Sequence, residues 1–337
     1  MTVQRWAAVG AGTISRSVVP DLQTCEGAEV VIVQSRDPEK AARFAEEFGV
    51  PASTGDYEAI LADPTIDAIY LATPFATHHS MTRAALLAGK HVLDKKPIAM
   101  DAAEAADLFA LAAERRLFLM EAMWMKFSPV FVRLQEEIAK GTVGEPRNLR
   151  ATFAIPFPDT GDSSKWDVTR SGGALLDQGI YPVTLAHSVF GEPDGVHAVG
   201  SVRADGLDVA EHFTLEFADG RFAQCASSMG EFGELTASIG GKAGWLTLQP
   251  PFWATSEIEV RAGGMRQIFH TPDRLVCPTE GNGYVPMLRA VVAAIADGLI
   301  EHPVHTREDT LAVFRTIDEI FRQIRSRVSQ SPLTSLA

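Results

Sequence analysis

The chain has 337 residues, 46% of them apolar and 22% charged, enough for about two domains that bury their own cores without metal or disulfide staples. Thirty Lys and Arg against 43 Asp and Glu leave a formal charge of −13, which argues against a nucleic-acid-coating surface. No stretch approaches the roughly twenty continuous apolar residues of a membrane span, and residues 1–15 lack the pattern of a secretion signal. Cys25, Cys225 and Cys277 lie far apart and form no CxxC pair, so a reduced, cytoplasmic setting is expected.

In chain order, residues 5–12 run from an apolar strand into glycine-rich backbone, and residues 15–23 suit the helix that follows. Residues 29–35 read as a strand buried on both faces. Residues 37–49 read as a helix, with Pro38 in its first turn and Gly49 at its end. The alternation continues with strands at 67–74, 91–97 and 117–122 and helices at 77–90 and 100–116. Such an order predicts a mostly parallel sheet covered by helices, with ligands beyond the carboxyl ends of its strands.

Gly10, Gly12 and Ser15 occupy the spacing of a GxGxxG fingerprint whose last glycine is replaced, and Thr13 and Ile14 complete the turn. The first glycine permits the tight turn, and the second lets a pyrophosphate reach backbone and helix amino terminus. After the second strand come Gln34, Ser35, Arg36 and Asp37. Ser35 can donate a hydrogen bond and Arg36 can clamp a 2′-phosphate, with Lys40 one turn later, so NADP is preferred and NAD is the alternative. The competing view makes Arg36 and Lys40 a solvated edge and aims Asp37 at a ribose hydroxyl.

Thr73, Pro74 and Phe75 follow the next strand, where a loop can line the nicotinamide side of the cofactor. His78 is read as a capping, packing or cofactor contact, because no third metal ligand has convincing spacing beside His78 and His79. Lys96 lies just past another parallel strand, restrained by Pro97, where an ammonium can bind a hydroxyl or carbonyl and stabilise charge during hydride transfer.

From residue 124 the pattern changes. Residues 125–141 suggest a connecting helix, and seven strand candidates follow at 146–157, 197–206, 209–220, 221–230, 234–241, 244–250 and 256–263, with another at 265–270. Short strands divided by Asp-Gly, Gly-Gly and proline turns predict a large, predominantly antiparallel sheet in an α+β domain, one face of which can pair with another protomer. The expected domains are 1–123, 124–328 and a loose tail at 329–337. Between the strands, residues 174–190 form a helix despite Gly179 and Pro182. Asp177 and Tyr181 stand four apart on it and share a face. A tyrosine near a lysine can exchange a proton as an alcohol becomes a carbonyl, and Trp166 can supply an aromatic wall. The bland alternative is that Asp177 satisfies backbone groups and Tyr181 only packs. His187 turns away from that face, residues 284–298 and 308–326 read as bracing helices, and the methionines of 120–125 read as core filling.

Together these patterns resemble the glucose-fructose oxidoreductase and inositol dehydrogenase superfamily, Gfo/Idh/MocA, over nearly the whole chain: AAVGAGTIS, ATPFATHH, HVLDKKPIA and GGALLDQGIYP occur in order. LFLMEAMWMKFSP is similar to the branch of dimeric dihydrodiol dehydrogenases and NADP-linked xylose dehydrogenases. The resemblance implies a Rossmann domain followed by a largely antiparallel one, no metal, and reversible hydride transfer between NADP and a sugar, polyol or cyclic dihydrodiol. It makes Tyr181 the acid/base, Lys96 its supporting cation and Asp177 the group that positions them. Lys95 stands where the family usually has glutamate, Phe75 where it often has asparagine, and Lys126 where it often has arginine. The implied assembly is a homodimer, with a tetramer as the alternative. Other readings left open are a nucleotide-linked keto sugar or an inositol as substrate, and an NADP-binding regulator without turnover.

Overall fold

The fold is that of a computed structural model, which describes residues 3–158, 165–170, 172–265 and 269–328. Its first sheet is built from six strands: β1 Gln4–Val9, β2 Ala28–Gln34, β3 Ala52–Thr54, β4 Ala68–Leu71, β5 His91–Lys95 and β6 Leu119–Ala122. All pair in parallel, in the order β3-β2-β1-β4-β5-β6. Every residue of β4 and β6 is buried, as expected of strands covered on both faces. The helices between them are α1 Ser15–Gln23, α2 Pro38–Phe48, α3 Tyr57–Ala62, α4 His78–Leu87 and α5 Ala102–Arg115. Pro38 lies in the first turn of α2, and Gly49 ends it in the left-handed region, φ 65°, as the sequence predicts. The short β3 and α3 escaped the sequence reading, being too brief to show a period.

The reversal of strand order between β1 and β4 opens a crevice at the carboxyl edge of the sheet. The loops after β1, β2, β4 and β5 all emerge there, and they carry Gly10, Arg36, Phe75 and Lys96.

The chain divides into two compact units, residues up to 129 with 278–311, and residues 130–277 with those from 312 on. The expected boundary at 123/124 therefore gives way to one in which a later segment returns to the first unit. The physical reason is an apolar helix. α8, Val285–Ala296, buries Met287, Leu288 and Val291 in the same core as Trp6, Val18 and Leu22. Asp21 of α1 fixes its approach by accepting hydrogen bonds from the backbone N–H groups of Asn282, 2.9 Å, and Tyr284, 3.0 Å. The methionines behave as core filling, with Met120, Met123 and Met125 buried. Trp124–Phe127 forms a 3₁₀ turn, and α6, Pro129–Ala139, follows in place of one continuous connecting helix, because Pro129 has no N–H and suits a helix start.

The second unit holds an eight-stranded sheet: β7 Pro146–Ala154, β8 Gly195–Val202, β9 Asp208–Phe217, β10 Arg221–Ser228, β11 Ala237–Gly241, β12 Gly244–Leu248, β13 Glu257–Ala262 and β14 Asp273–Val276. Its order is β14-β13-β12-β11-β7-β10-β9-β8, antiparallel except for the parallel pair β7/β10. Helix α7, Ile180–Phe190, packs on β7 and β10. The last helix, α9, spans Arg307–Val328; its Gln323 binds the backbone of Val196 and Ala198 in β8. The strand candidate at 265–270 lies partly outside the described residues, and the tail at 329–337 wholly so. No helix among the described residues is long and apolar enough to cross a membrane.

Candidate active site

The turn after β1 is shaped for a close ligand. Gly10 has φ +105°, and a Cβ there would stand 2.5 Å from the carbonyl oxygen of Ala72, whereas the space around Gly12 is open. Ser15 takes the place of the missing third glycine by using its hydroxyl. Buried at the start of α1, it donates to the Gly10 carbonyl at 2.5 Å and ties helix to turn. Thr13 is exposed and Ile14 half-buried, and no side chain caps the amino terminus of α1, whose positive end faces the glycine turn. A bare glycine turn, open space at Gly12 and an uncapped helix fit a dinucleotide pyrophosphate.

At the end of β2, Asp37 is the amino-terminal cap of α2 and accepts from Lys40 N–H at 3.1 Å. The Ser35 hydroxyl accepts from Asp37 N–H at 3.3 Å. That capping bond engages the carboxylate locally, while Arg36 and Lys40 lie exposed beside it. The pair of cations fits a 2′-phosphate.

The loops after β4 and β5 are joined through His78. Its Nε2 is 2.9 Å from the Thr73 carbonyl and its Nδ1 2.7 Å from the Pro97 carbonyl. The ring has no exposed surface, so of the capping, packing and cofactor roles expected of it the packing one is seen: His78 sets the two loops that border the crevice. Asp94, also buried, stands 3.1 Å from Nδ1 and accepts from the Thr82 hydroxyl at 2.6 Å. Burial, and then the charge of Lys95, pull His78 down to about 3, and burial pushes Asp94 well above the usual carboxylate range. Both shifts favour the uncharged forms, so the pair is left without net charge.

Phe75 is buried as well, edge-on to His78 at 5.8 Å. Its face carries both lysines, Lys95 Nζ at 4.5 Å and Lys96 Nζ at 5.8 Å from the ring centre. Phe75 is thus a cation–π platform where a cover for the cofactor was expected. Pro74 extends the backbone into a 3₁₀ turn, and the Thr73 hydroxyl pairs with that of Thr77 at 2.8 Å. Beyond the cis Lys96–Pro97 bond, Ile98 N–H donates to Glu121 at 3.1 Å, and Glu121 is held in turn by His305 at 3.2 Å. Lys126 bonds Asp309 at 3.2 Å in the same unit.

In the second unit, residues Leu175–Gly179 form a π-helical turn that leads into α7. Asp177 and Tyr181, 8% and 5% exposed, therefore come from one continuous helical stretch, as expected. Lys165 donates to Asp177 at 2.6 Å. Phe153 of β7 and Trp253 stack at 3.4 Å and 6°, with the Tyr181 ring 5.6 and 6.1 Å from them. Trp166 is half-buried, donating to the Phe157 carbonyl at 3.0 Å and packing against Ala174, Leu207 and Met229. His187 bonds Thr316 at 2.9 Å and plays a structural part.

Sequence reasoning missed Asp94, Glu121, Lys165, Phe153 and Trp253. Alternation on β7 places Phe153 on the face of Leu149 and Ala151, so it had a signal; Trp253 had none, since its partner is a hundred residues away.

Residues 4–123 match the oxidoreductase family with an NAD-binding Rossmann fold, and residues 131–247 match the GFO/IDH/MocA C-terminal domain. The chain is 32% identical over 328 residues to the trans-1,2-dihydrobenzene-1,2-diol dehydrogenase of Homo sapiens, covering 95% of this chain and 96% of that protein. With the Mus musculus enzyme of that name the identity is 34% over 272 residues, 80% of each chain. A 3-ketoreductase from Actinomadura kijaniata, solved in complex with NADP and TDP-benzene, superposes with a TM-score of 0.84 at 28% identity, over 96% of this chain and 98% of that one.

His78→Ala removes the imidazole between the two loop carbonyls and the one buried hydrogen bond its neutral ring can donate, worth about 1 kcal/mol, and is expected to raise the Kd for NADP by about fivefold. Titration of cofactor fluorescence measures it; an unchanged Kd would separate the loops' positions from His78.

Proposed function

Because the chain belongs to the Gfo/Idh/MocA oxidoreductase family, we propose that it is an NADP-linked dehydrogenase or reductase, moving hydride between nicotinamide and a sugar, polyol or cyclic dihydrodiol. The observation that carries the reading is the pairing of a dinucleotide turn at Gly10 and Gly12 with a tyrosine flanked by Asp177 and stacked aromatic rings. Bound NADP supplies the hydride acceptor or donor. In oxidation Tyr181 accepts the hydroxyl proton; in reduction it returns one. By the family resemblance Lys96 is assigned to the reacting oxygen as the supporting cation, while Asp177 orients the polar network beside Tyr181. The Phe153 and Trp253 stack offers a flat apolar wall suited to ring carbons, as does Trp166 more distantly. A nucleotide-linked keto sugar is the second reading, supported by the TDP-benzene complex of the related ketoreductase.

Tyr181→Phe and Lys96→Met each remove a group that acts on the reacting oxygen, so kcat with the best substrate is expected to fall at least about a hundredfold. NADP should still bind. The assay is hydride exchange with NADP and NAD across sugars, polyols, dihydrodiols and nucleotide-linked keto sugars; near-wild-type turnover in either variant would refute its assigned role. NADP binding with no exchange across the whole panel would favour the regulatory reading.

Arg36 supplies the preference for NADP. Arg36→Ala should raise KM for NADP by about tenfold or more and leave KM for NAD unchanged, the signature of a lost phosphate clamp. Equal effects on both cofactors would assign Arg36 to the solvated edge.

The face of the eight-stranded sheet bearing Arg150, Thr152, His197, His212 and Gln224 encloses a shallow cavity of about 530 Å³, and we assign it to the interface of a homodimer. Sedimentation velocity should give twice the chain mass, and Arg150→Glu should shift it toward monomer; a wild-type monomer would remove the assignment. Three thiols, none in a disulfide, fit a cytoplasmic location.

A further inference from the structure

Beneath the π-helical turn of the second unit lie two carboxyl groups that the reaction does not use. Asp208, at the start of β9, is 2% exposed, and Glu211, three residues on, is wholly buried. Asp208 Oδ2 accepts from Leu175 N–H at 2.8 Å, the first residue of the turn. Gly173, with φ +74°, approaches the same carboxylate so closely that a Cβ would collide with its Oδ1. At the other end, Glu211 Oε2 accepts from the Ser227 hydroxyl at 2.6 Å, and that hydroxyl lies 2.6 Å from where a Cβ on Gly179 would be. Ser227 and Glu211 face each other in the β9/β10 register, so the sheet fixes their spacing. Both ends of the turn therefore rest on one carboxyl cluster.

The two acids bond to each other, and Glu211 Oε1 is buried with no donor facing it among the described residues. Two carboxylates cannot hydrogen-bond without a proton between them. Burial raises Asp208 too, but the hydrogen bond from Leu175 N–H opposes that shift, so we place the proton on Glu211, which donates it to Asp208. Burial and the neighbouring Asp208 charge both raise Glu211 well above the usual carboxylate range.

We infer that Asp208 and Glu211, sharing one proton, are positioning residues that hold the turn from Gly173 to Gly179 and thereby set Asp177 and Tyr181. The inference rests on the role proposed above for Tyr181. A π turn is an uncommon, poorly self-sustaining geometry, and an external clamp at both ends accounts for its persistence here. The clamp also explains the glycines at 173 and 179: a Cβ at 173 would collide with the Asp208 carboxylate, and one at 179 with the Ser227 hydroxyl that binds Glu211 and with Leu175.

Glu211→Gln has the shape of the protonated acid, with an amide to donate to Asp208 and an oxygen to accept from Ser227. Glu211→Ala leaves Asp208 buried without its partner. We expect Glu211→Ala to lower kcat about tenfold or more with the NADP Kd unchanged, and Glu211→Gln to restore most of it. An infrared difference spectrum, wild type minus Glu211→Gln at neutral pH, should show the C=O stretch of a protonated carboxyl, a readout independent of turnover. Absence of that band, or a Glu211→Gln enzyme as impaired as Glu211→Ala, overturns the shared proton. Wild-type kcat in folded Glu211→Ala overturns the positioning role. If Tyr181→Phe keeps full turnover while the band persists, the positioning role falls with the reading it rests on, and the failure is that reading's.

Discussion

Lys95 and Lys96, at the carboxyl edge of the six-stranded sheet, both approach the ring of Phe75, at 4.5 and 5.8 Å from its centre, and the loops around them are held by what fixes that ring. The ring is fixed in turn by His78, whose imidazole spans the carbonyls of Thr73 and Pro97 and leans on Asp94. The buried pair of His78 and Asp94 lies beneath this edge and holds the ring that both lysines approach.

The second unit solves the complementary problem with opposite charges. Tyr181 needs a fixed phenol, and the residues before it adopt a π turn that the sequence of a plain α-helix would not maintain. Carboxyl groups from β9 supply the missing constraint from below, and the pair of Lys165 with Asp177 supplies it from the side. Phe153 and Trp253 stack beside the Tyr181 ring.

Much of the fold was legible because its periods are long. Parallel strands with flanks of Val, Ile and Leu, helices bounded by Pro38 and Gly49, and the glycine turn at 10 and 12 all announce themselves locally. What stayed hidden depends on distant partners. The return of residues 278–311 to the first unit follows from α8 burying Leu288 and Val291 against Val18 and Leu22, contacts no local pattern encodes. Likewise a helix was legible at 174–190, but its π turn was not, because the turn is imposed by Asp208 and Ser227 on other strands. His78 read as a candidate contact because it sits beside a ligand loop; only its complete burial makes its action indirect.

The departures from the family pattern are also intelligible as local compensation. A glutamate at position 95 would place a carboxylate over the negative face of the ring at position 75, an unfavourable pairing, whereas Lys95 over Phe75 is a favourable one. Ser15 follows the same logic: its hydroxyl restores, by a bond to the Gly10 carbonyl, the helix-to-turn contact that a third glycine makes by proximity. Lys126 is absorbed by Asp309 and His305 within its own unit. Since each change is balanced beside itself, the platform for a dinucleotide is preserved while a polar side chain at position 75 is lost. Beside the Tyr181 ring the stack of Phe153 and Trp253 then supplies a flat apolar wall, which contributes area and shape with few directional bonds.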